Sequence, residues 1–283
     1  IKQAFESEKI NHVFLKGLPL HLYFEKIHPR RVYADCDVLI DKKDYQKAEK
    51  ILLKFGYRKA YGKTKQVENN YYKIINGFSV VFDIHLEPAF LMTQFSGLEA
   101  LYPQKLIDQL SDEFLKTKKV VKINGELFFI LNTKYLILYL ALHFFHHNFR
   151  GVFRLDFLDK IVRKSRLSIN NWKNIASTIN NYQLANFVYL VFIFLKKYYR
   201  TPIPNHFIKS IKHNFINFMN FKNLSIFDDE SRLRAGINRF KNIFCLSPNP
   251  WWKKIFVFIN PSVIYSIFWS LKKKLICRGN PLS

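Results

Sequence analysis

The sequence predicts an α+β protein, a first half in which strands and helices mix, followed by a helical domain. Three observations predict it. Short runs rich in Val, Ile, Phe and Tyr alternate with helical stretches over residues 1–130. From about residue 132 to the end the apolar period is helical. Only 9 Gly and 10 Pro occur in 283 residues, and no internal repeat is visible, which argues against a loop-rich or repeat-built chain.

Residues 1–10 read as the end of an amphipathic helix, and the first residue is Ile, so further N-terminal helices are expected before it. HVFLK (12–16) reads as a strand. GLPLHLYFEKI (17–27) follows as a helix, with Pro19 in the first turn, where a missing N–H costs nothing. YADCDVLI (33–40) contains the next strand, over 34–40. In 41–56 Asp41 is placed to cap a helix, Ala48, Ile51, Leu52 and Phe55 form its apolar stripe, and Gly56 terminates it. NNYYKIIN (69–76) and FSVVFDIH (78–85) flank Asn76-Gly77, a strong hairpin signal. A second short hairpin is expected around Asn124-Gly125 within 116–130. Helices are then expected over 133–149, 152–166, 171–180 and 183–199, with Pro202 and Pro204 as punctuation. The domains are accordingly drawn at 1–130 and 131–283.

Composition narrows the function classes. The chain is 49% hydrophobic and 23% charged, so it has a packed core. Its formal charge of +24 attracts polyanions such as nucleotides, nucleic acid or anionic lipid. A basic solvated surface from a Lys/Asn/Ile/Phe-rich composition is the plainer reading. The three cysteines, Cys36, Cys245 and Cys277, form no CxxC pattern, which argues against a disulfide framework or a zinc site and favours a reducing, cytoplasmic setting. No signal peptide is visible. Residues 255–271 lie between lysines but are broken by Asn260-Pro261 and fall short of the ~20 residues that a span requires. A buried or domain-capping helix is the preferred reading there, and an interfacial helix touching an anionic membrane is the alternative. Trp172, Trp251, Trp252 and Trp269 are read as core rather than as base-stacking platforms. No Walker A, Rossmann, G-x-S-x-G or zinc-finger pattern occurs, so sequence-specific DNA binding is not expected.

The chemistry concentrates in the second strand. Asp is depleted in strands and seldom buried unpaired, yet Asp35 and Asp37 sit in an apolar run. Strand side chains alternate, so both point to one face, roughly 7 Å apart along the strand. Two carboxylates so held repel unless a cation lies between them, and a hard divalent ion, Mg²⁺ or Mn²⁺, suits oxygen ligands. Asp83 sits in a second apolar strand. If that strand neighbours the first, three carboxylates converge, as in two-metal phosphoryl transfer with ions roughly 3.5–4 Å apart. The structural alternative pairs Asp35 with Arg30 or Arg31, and Asp83 with His85.

FLKG (14–17), the Arg31, Asp35, Asp37 pattern and FDIH (82–85) together resemble the DNA polymerase β-like nucleotidyltransferase superfamily, and within it the branch of uncharacterised bacterial nucleotidyltransferases. LHFFHHNFRGVFRLDFLDK (142–160), NWKNI (171–175) and SPNPWW (247–252) extend the resemblance over nearly the whole chain. The resemblance implies the superfamily's small mixed β-sheet with flanking helices, plus a helical domain. It implies Asp35 and Asp37 as the metal pair, Asp83 as the third carboxylate, ligand or base, and Gly17 at the turn that admits the nucleotide phosphates. The superfamily prefers Gly-Ser or Gly-Gly at this turn. Here Lys16-Gly17-Leu18 offers no hydroxyl, and Lys16 supplies charge instead. A Gly before a helix N-terminus still lets backbone N–H groups approach an anion. Arg31 clamps phosphate or holds Asp35, and His85 orders Asp83, contacts the acceptor or is a supporting hydrogen-bonding histidine.

The expected function is therefore metal-dependent transfer of a nucleoside monophosphate from an NTP to an acceptor (sugar phosphate, RNA end, protein or small molecule), with release of pyrophosphate. A non-catalytic nucleotide-binding or toxin-like regulatory module is the alternative. His143, His146 and His147, on one helix, are expected with Arg154 and Asp156 to line a cleft near base or acceptor, against the rival reading of simple packing.

Overall fold

The computed structural model describes residues 1–25, 35–60, 68–88, 100–211, 226, 231–261 and 264. Helix α1 (Lys2–Ser7) leads into strand β1 (His12–Lys16), helix α2 (Leu18–Glu25) and strand β2 (Asp35–Ile40). A 3-10 turn (Lys42–Asp44), α3 (Tyr45–Lys54), β3 (Arg58–Lys59), β4 (Glu68–Ile75) and β5 (Phe78–His85) follow. After α4 (Gln104–Lys116) come β6 (Lys119–Ile123) and β7 (Glu126–Ile130). The rest is helical: α5 (Thr133–His146), α6 (Val152–Ser165), α7 (Ile169–Asn181), α8 (Ala185–Tyr199), α9 (Asn205–Ser210), α10 (Arg232–Leu246) and α11 (Trp251–Ile259).

The strands form one sheet in the order β3-β4-β5-β2-β1-β7-β6. It is mixed, as expected. β2 runs parallel to β5 and β1 parallel to β7, while the remaining neighbours are antiparallel. Both hairpins turn where Asn-Gly dipeptides stand. Asn76 and Gly77 have φ of 50° and 80°, and Asn124 and Gly125 have 49° and 87°. Two successive positive φ values match the right-handed twist of the flanking strands, and Asn and Gly tolerate them best. The chain's central strands are covered on both faces, so Val38, Leu39 and Ile40 are all buried despite their alternation.

Helix α3 departs from the sequence reading at its start and ends at Gly56 as expected. Asp41 caps the 3-10 turn by accepting from the Lys43 N–H, and the α-helix starts only at Tyr45. At the other end Tyr57 N–H bonds to the Leu52 carbonyl and Gly56 N–H to that of Leu53, a Schellman stop with Gly56 at φ 80°. The reversal buries Tyr57 against the core and leaves Phe55 exposed, not part of the apolar stripe.

Helix α5 is buried at every position from Tyr135 to Leu142, and α8 is buried along most of its length. A helix apolar all round needs cover all round, which α6, α7 and α8 supply for α5. Trp172 lies in this core against Phe207 and Phe192. Trp251 and Trp252 do not: they are exposed, as are Ile255, Phe256 and Ile259, so α11 is not the buried helix expected there. Among the described residues no helix is long and apolar enough to cross a membrane. Arg30, Arg31, Trp269 and Cys277 lie outside the described residues.

Candidate functional site

The parallel pairing of β2 with β5 builds the site. Its register sets Asp37 directly opposite Asp83, and Leu39 opposite His85. Asp35, two residues before Asp37, points to the same face. One carboxylate oxygen from each of Asp35, Asp37 and Asp83 lies within 4.8 Å of the others. Asp37 is 3% exposed and Asp83 9%, whereas the Asp35 side chain is 43% exposed, so the cluster opens to solvent on the Asp35 side.

Lys16 joins the cluster through a break in strand register. Phe14 pairs with Val38, so regular alternation would set Lys16 against Cys36, on the face away from the aspartates. A bulge between Phe14 and Lys16 pairs Lys16 with Asp37 instead. Bulges re-aim side chains in this way, often beside functional sites. The Lys16 Nζ lies 3.0 Å from Asp35 Oδ2 and 2.6 Å from Asp37 Oδ2. The ammonium thus bridges the two carboxylates. Burial works against its charge, but Asp37 and Asp35 hold its pKa above the usual lysine value.

Two partners fix the buried carboxylates. His85 Nε2 is 2.9 Å from Asp37 Oδ1, as a supporting hydrogen-bonding histidine would be. Asn70 Nδ2 donates to Asp83 Oδ1 at 2.5 Å. Burial alone would raise the Asp37 pKa. The His85 hydrogen bond and the Lys16 ammonium outweigh it, and Asp37 titrates below the usual carboxylate range. The neighbouring Cys36 thiol is pushed well up by burial and by the adjacent carboxylates, so it is not a thiolate at neutral pH.

Asn70 was not singled out in the sequence, although a signal for it was present. The two-residue Asn76-Gly77 turn pairs Ile75 with Phe78, and counting outward equally on both strands brings Asn70 opposite Asp83. The Lys16 bulge had no such signal.

Gly17 follows at once, with φ 100°, and its carbonyl accepts the His21 N–H in the first turn of α2. A Cβ there would lie 3.1 Å from the Asp35 carbonyl oxygen. Glycine is thus required both by conformation and by the close approach of β2. His21 stacks on Phe157 of α6, with ring centroids 3.9 Å apart, docking α2 on the helical layer.

The end of α5 also faces this region. The His143 and His147 rings are 4.6 Å apart. Burial drives both imidazole pKa values down, His147 to about 2, and nearby Lys16, Arg154, His146 and, for His147, Arg239 add to the effect. Both rings are neutral at physiological pH. Asp156 pairs with Lys160 on its own helix at 2.9 Å.

The donor set fits a hard divalent ion. Three hard oxygen donors converge from two rigid strands. Mg²⁺ binds oxygen at about 2.1 Å, so oxygens that share one ion lie at most about 4.2 Å apart, and the three carboxylates, within 4.8 Å of one another, would close by a few tenths of an ångström around it. A cation already bridges the Asp35 and Asp37 carboxylates in the form of the Lys16 ammonium.

A family model described as uncharacterised nucleotidyltransferase matches residues 1–200. Among solved structures the chain is similar to the crystal structure of an antigenic nucleotidyltransferase-like protein from Paracoccidioides brasiliensis. The identity is 12% and the TM-score 0.43, over 74% of this chain and 88% of that one. No curated protein matches the chain.

Proposed function

The chain belongs to the uncharacterised nucleotidyltransferase family, and from that premise we propose that it transfers a nucleoside monophosphate from an NTP to an acceptor oxygen. The observation that carries the reading is the convergence of Asp35, Asp37 and Asp83 within 4.8 Å on one sheet face. In the reaction the acceptor oxygen bonds to the α-phosphorus, the bond from that phosphorus to the β-bridging oxygen breaks, and pyrophosphate leaves.

Asp35, Asp37 and Asp83 would hold Mg²⁺ or Mn²⁺, and the ion would supply charge neutralisation for the triphosphate. His85 fixes the rotamer of Asp37, and Asn70 fixes that of Asp83. Asp83 takes the proton from the acceptor hydroxyl as its oxygen attacks. Gly17 keeps the head of α2 free of side-chain bulk, so its backbone N–H groups can receive phosphate oxygens. Lys16, at 3.0 Å from Asp35 and 2.6 Å from Asp37, supplies a positive charge beside the place the triphosphate would occupy.

The test uses the full chain with each α-labelled NTP, Mg²⁺ and fractionated cell extract as the acceptor source. Label transfer is expected, and Asp83→Asn should lower it more than about a hundredfold at an unchanged melting temperature. Transfer that survives Asp83→Asn at full rate contradicts the reading.

A further inference from the structure

Helix α11 is mounted inside out. A surface helix of a water-soluble domain turns its apolar side inward and its charges outward. In α11 the residues turned inward are Val257 and Lys254, both buried. Lys254 Nζ donates to the Phe244 carbonyl at 2.9 Å and lies 3.5 Å from that of Cys245, so its charge caps the C-terminal turn of α10. Phe258 packs on Phe240 and Phe244 of α10 and completes the mount. The outer side carries Trp251, Trp252, Ile255, Phe256 and Ile259, with Trp251 72% and Ile259 63% exposed. At about 100° per residue these five, with the partly packed Phe258, span roughly 160° of the helix surface. Such a stripe is wide enough to serve as a core face, yet it meets solvent.

Charge says what covers it. From Ser231 to Ser283 the sequence has ten Lys and Arg and no Asp or Glu. The rest of the chain therefore carries all 21 acidic residues. A face of Trp, Phe and Ile within an acid-free, strongly basic segment matches an anionic lipid surface. Its aliphatic and aromatic groups enter the acyl boundary, the indoles lie at headgroup level, and the cations meet the phosphates. A nucleic acid would reward the cations and the Trp rings but not exposed Ile255 and Ile259. The described helix is nine residues long, about 14 Å, with its apolar and polar sides segregated as an interfacial helix requires.

We propose that the outer face of α11 docks this protein onto a membrane surface rich in anionic phospholipid. The site on the sheet is not needed for this, so the two readings stand or fall separately.

The test is flotation of the full chain with phosphatidylcholine vesicles, with and without about 30 mol% phosphatidylglycerol. Flotation is expected with the anionic vesicles, weaker as salt rises, and with a blue shift of Trp emission. Trp251→Glu/Phe256→Glu changes only exposed positions and should lower vesicle affinity at least about tenfold at an unchanged melting temperature. Ile169→Glu, an equally exposed residue of α7, should leave it unchanged. Failure of the wild type to float, or equal flotation of the double variant, overturns the proposal. So does a wild type that forms dimers, loses them in the double variant and binds no vesicles, since the face would then pair two copies of the chain. Binding of RNA in place of vesicles would overturn it as well.

Discussion

At the residue scale, Lys16 is the position whose chemistry is most informative. Its ammonium stands between Asp35 and Asp37 and cancels a repulsion that would otherwise strain β2. A divalent ion bound there would compete for the same oxygens. Lys16→Gln removes both the competitor and a positive charge beside the incoming ion, so Mn²⁺ affinity should rise by about tenfold, read by Mn²⁺ electron paramagnetic resonance. Transfer activity should fall, because the triphosphate loses a cation. Weaker Mn²⁺ binding in Lys16→Gln would show that the lysine supports the ion site rather than competing for it. Gly17 gives a second residue-scale expectation. Its φ of 100° and the 3.1 Å approach of the Asp35 carbonyl make Gly17→Ala costly. A loss of about 1–3 kcal/mol is expected from the strained backbone, measured by urea unfolding, and phosphate access at the head of α2 should be lost with it.

At the element scale, α3 is tied to the sheet edge by Glu49, which accepts from Lys59 at 2.7 Å and Tyr71 at 2.7 Å. Burial raises the Glu49 pKa, but these bonds lower it more, and the net shift is downward from 4.5. A carboxylate depressed in the folded state contributes stability above its unfolded pKa and loses it as pH falls through the folded value. The wild type should therefore lose melting temperature more steeply than Glu49→Gln as pH drops below 4.5. Parallel melting curves for the two proteins would remove Glu49 from the account. Elements of this kind were also the most legible in the sequence. Asn76-Gly77 and Asn124-Gly125 announced both hairpins because few residues adopt two positive φ values. The burial of β2 from Asp37 to Ile40 followed from its apolar run, whereas β5 is buried only at Asp83–His85 and leaves Phe78 exposed. The bulge that turns Lys16 onto the aspartate face was not legible, since nothing local distinguishes His12–Lys16 from a regular strand. The partner of His85 was equally hidden, because it depends on which strand lies beside β5. Phe55 failed for a third reason. Helical periodicity carried it into the stripe, but the chain reverses at Gly56 before it reaches the core.

At the scale of the whole molecule, the chain separates its charges. The acidic site is assembled at the centre of the sheet, on β2 and β5, with Lys16 of β1 across it. The basic excess reaches its extreme in the acid-free segment from Ser231 onward. That contrast was present in the composition, but the sequence could not say which side of α11 faces outward. Periodicity fixes which residues share a face, and only packing against α10 shows that the apolar face is the outer one. The central claim concerns the sheet, and calorimetry tests it most directly. Each NTP is titrated with Mg²⁺, and again with EDTA, into the wild type and Asp37→Asn. The account predicts NTP binding that requires the metal and is lost in Asp37→Asn, while the melting temperature stays within a few degrees. Binding that persists without metal, or that is equal in the variant, would contradict it and leave Asp35, Asp37 and Asp83 as structural partners of Lys16, His85 and Asn70.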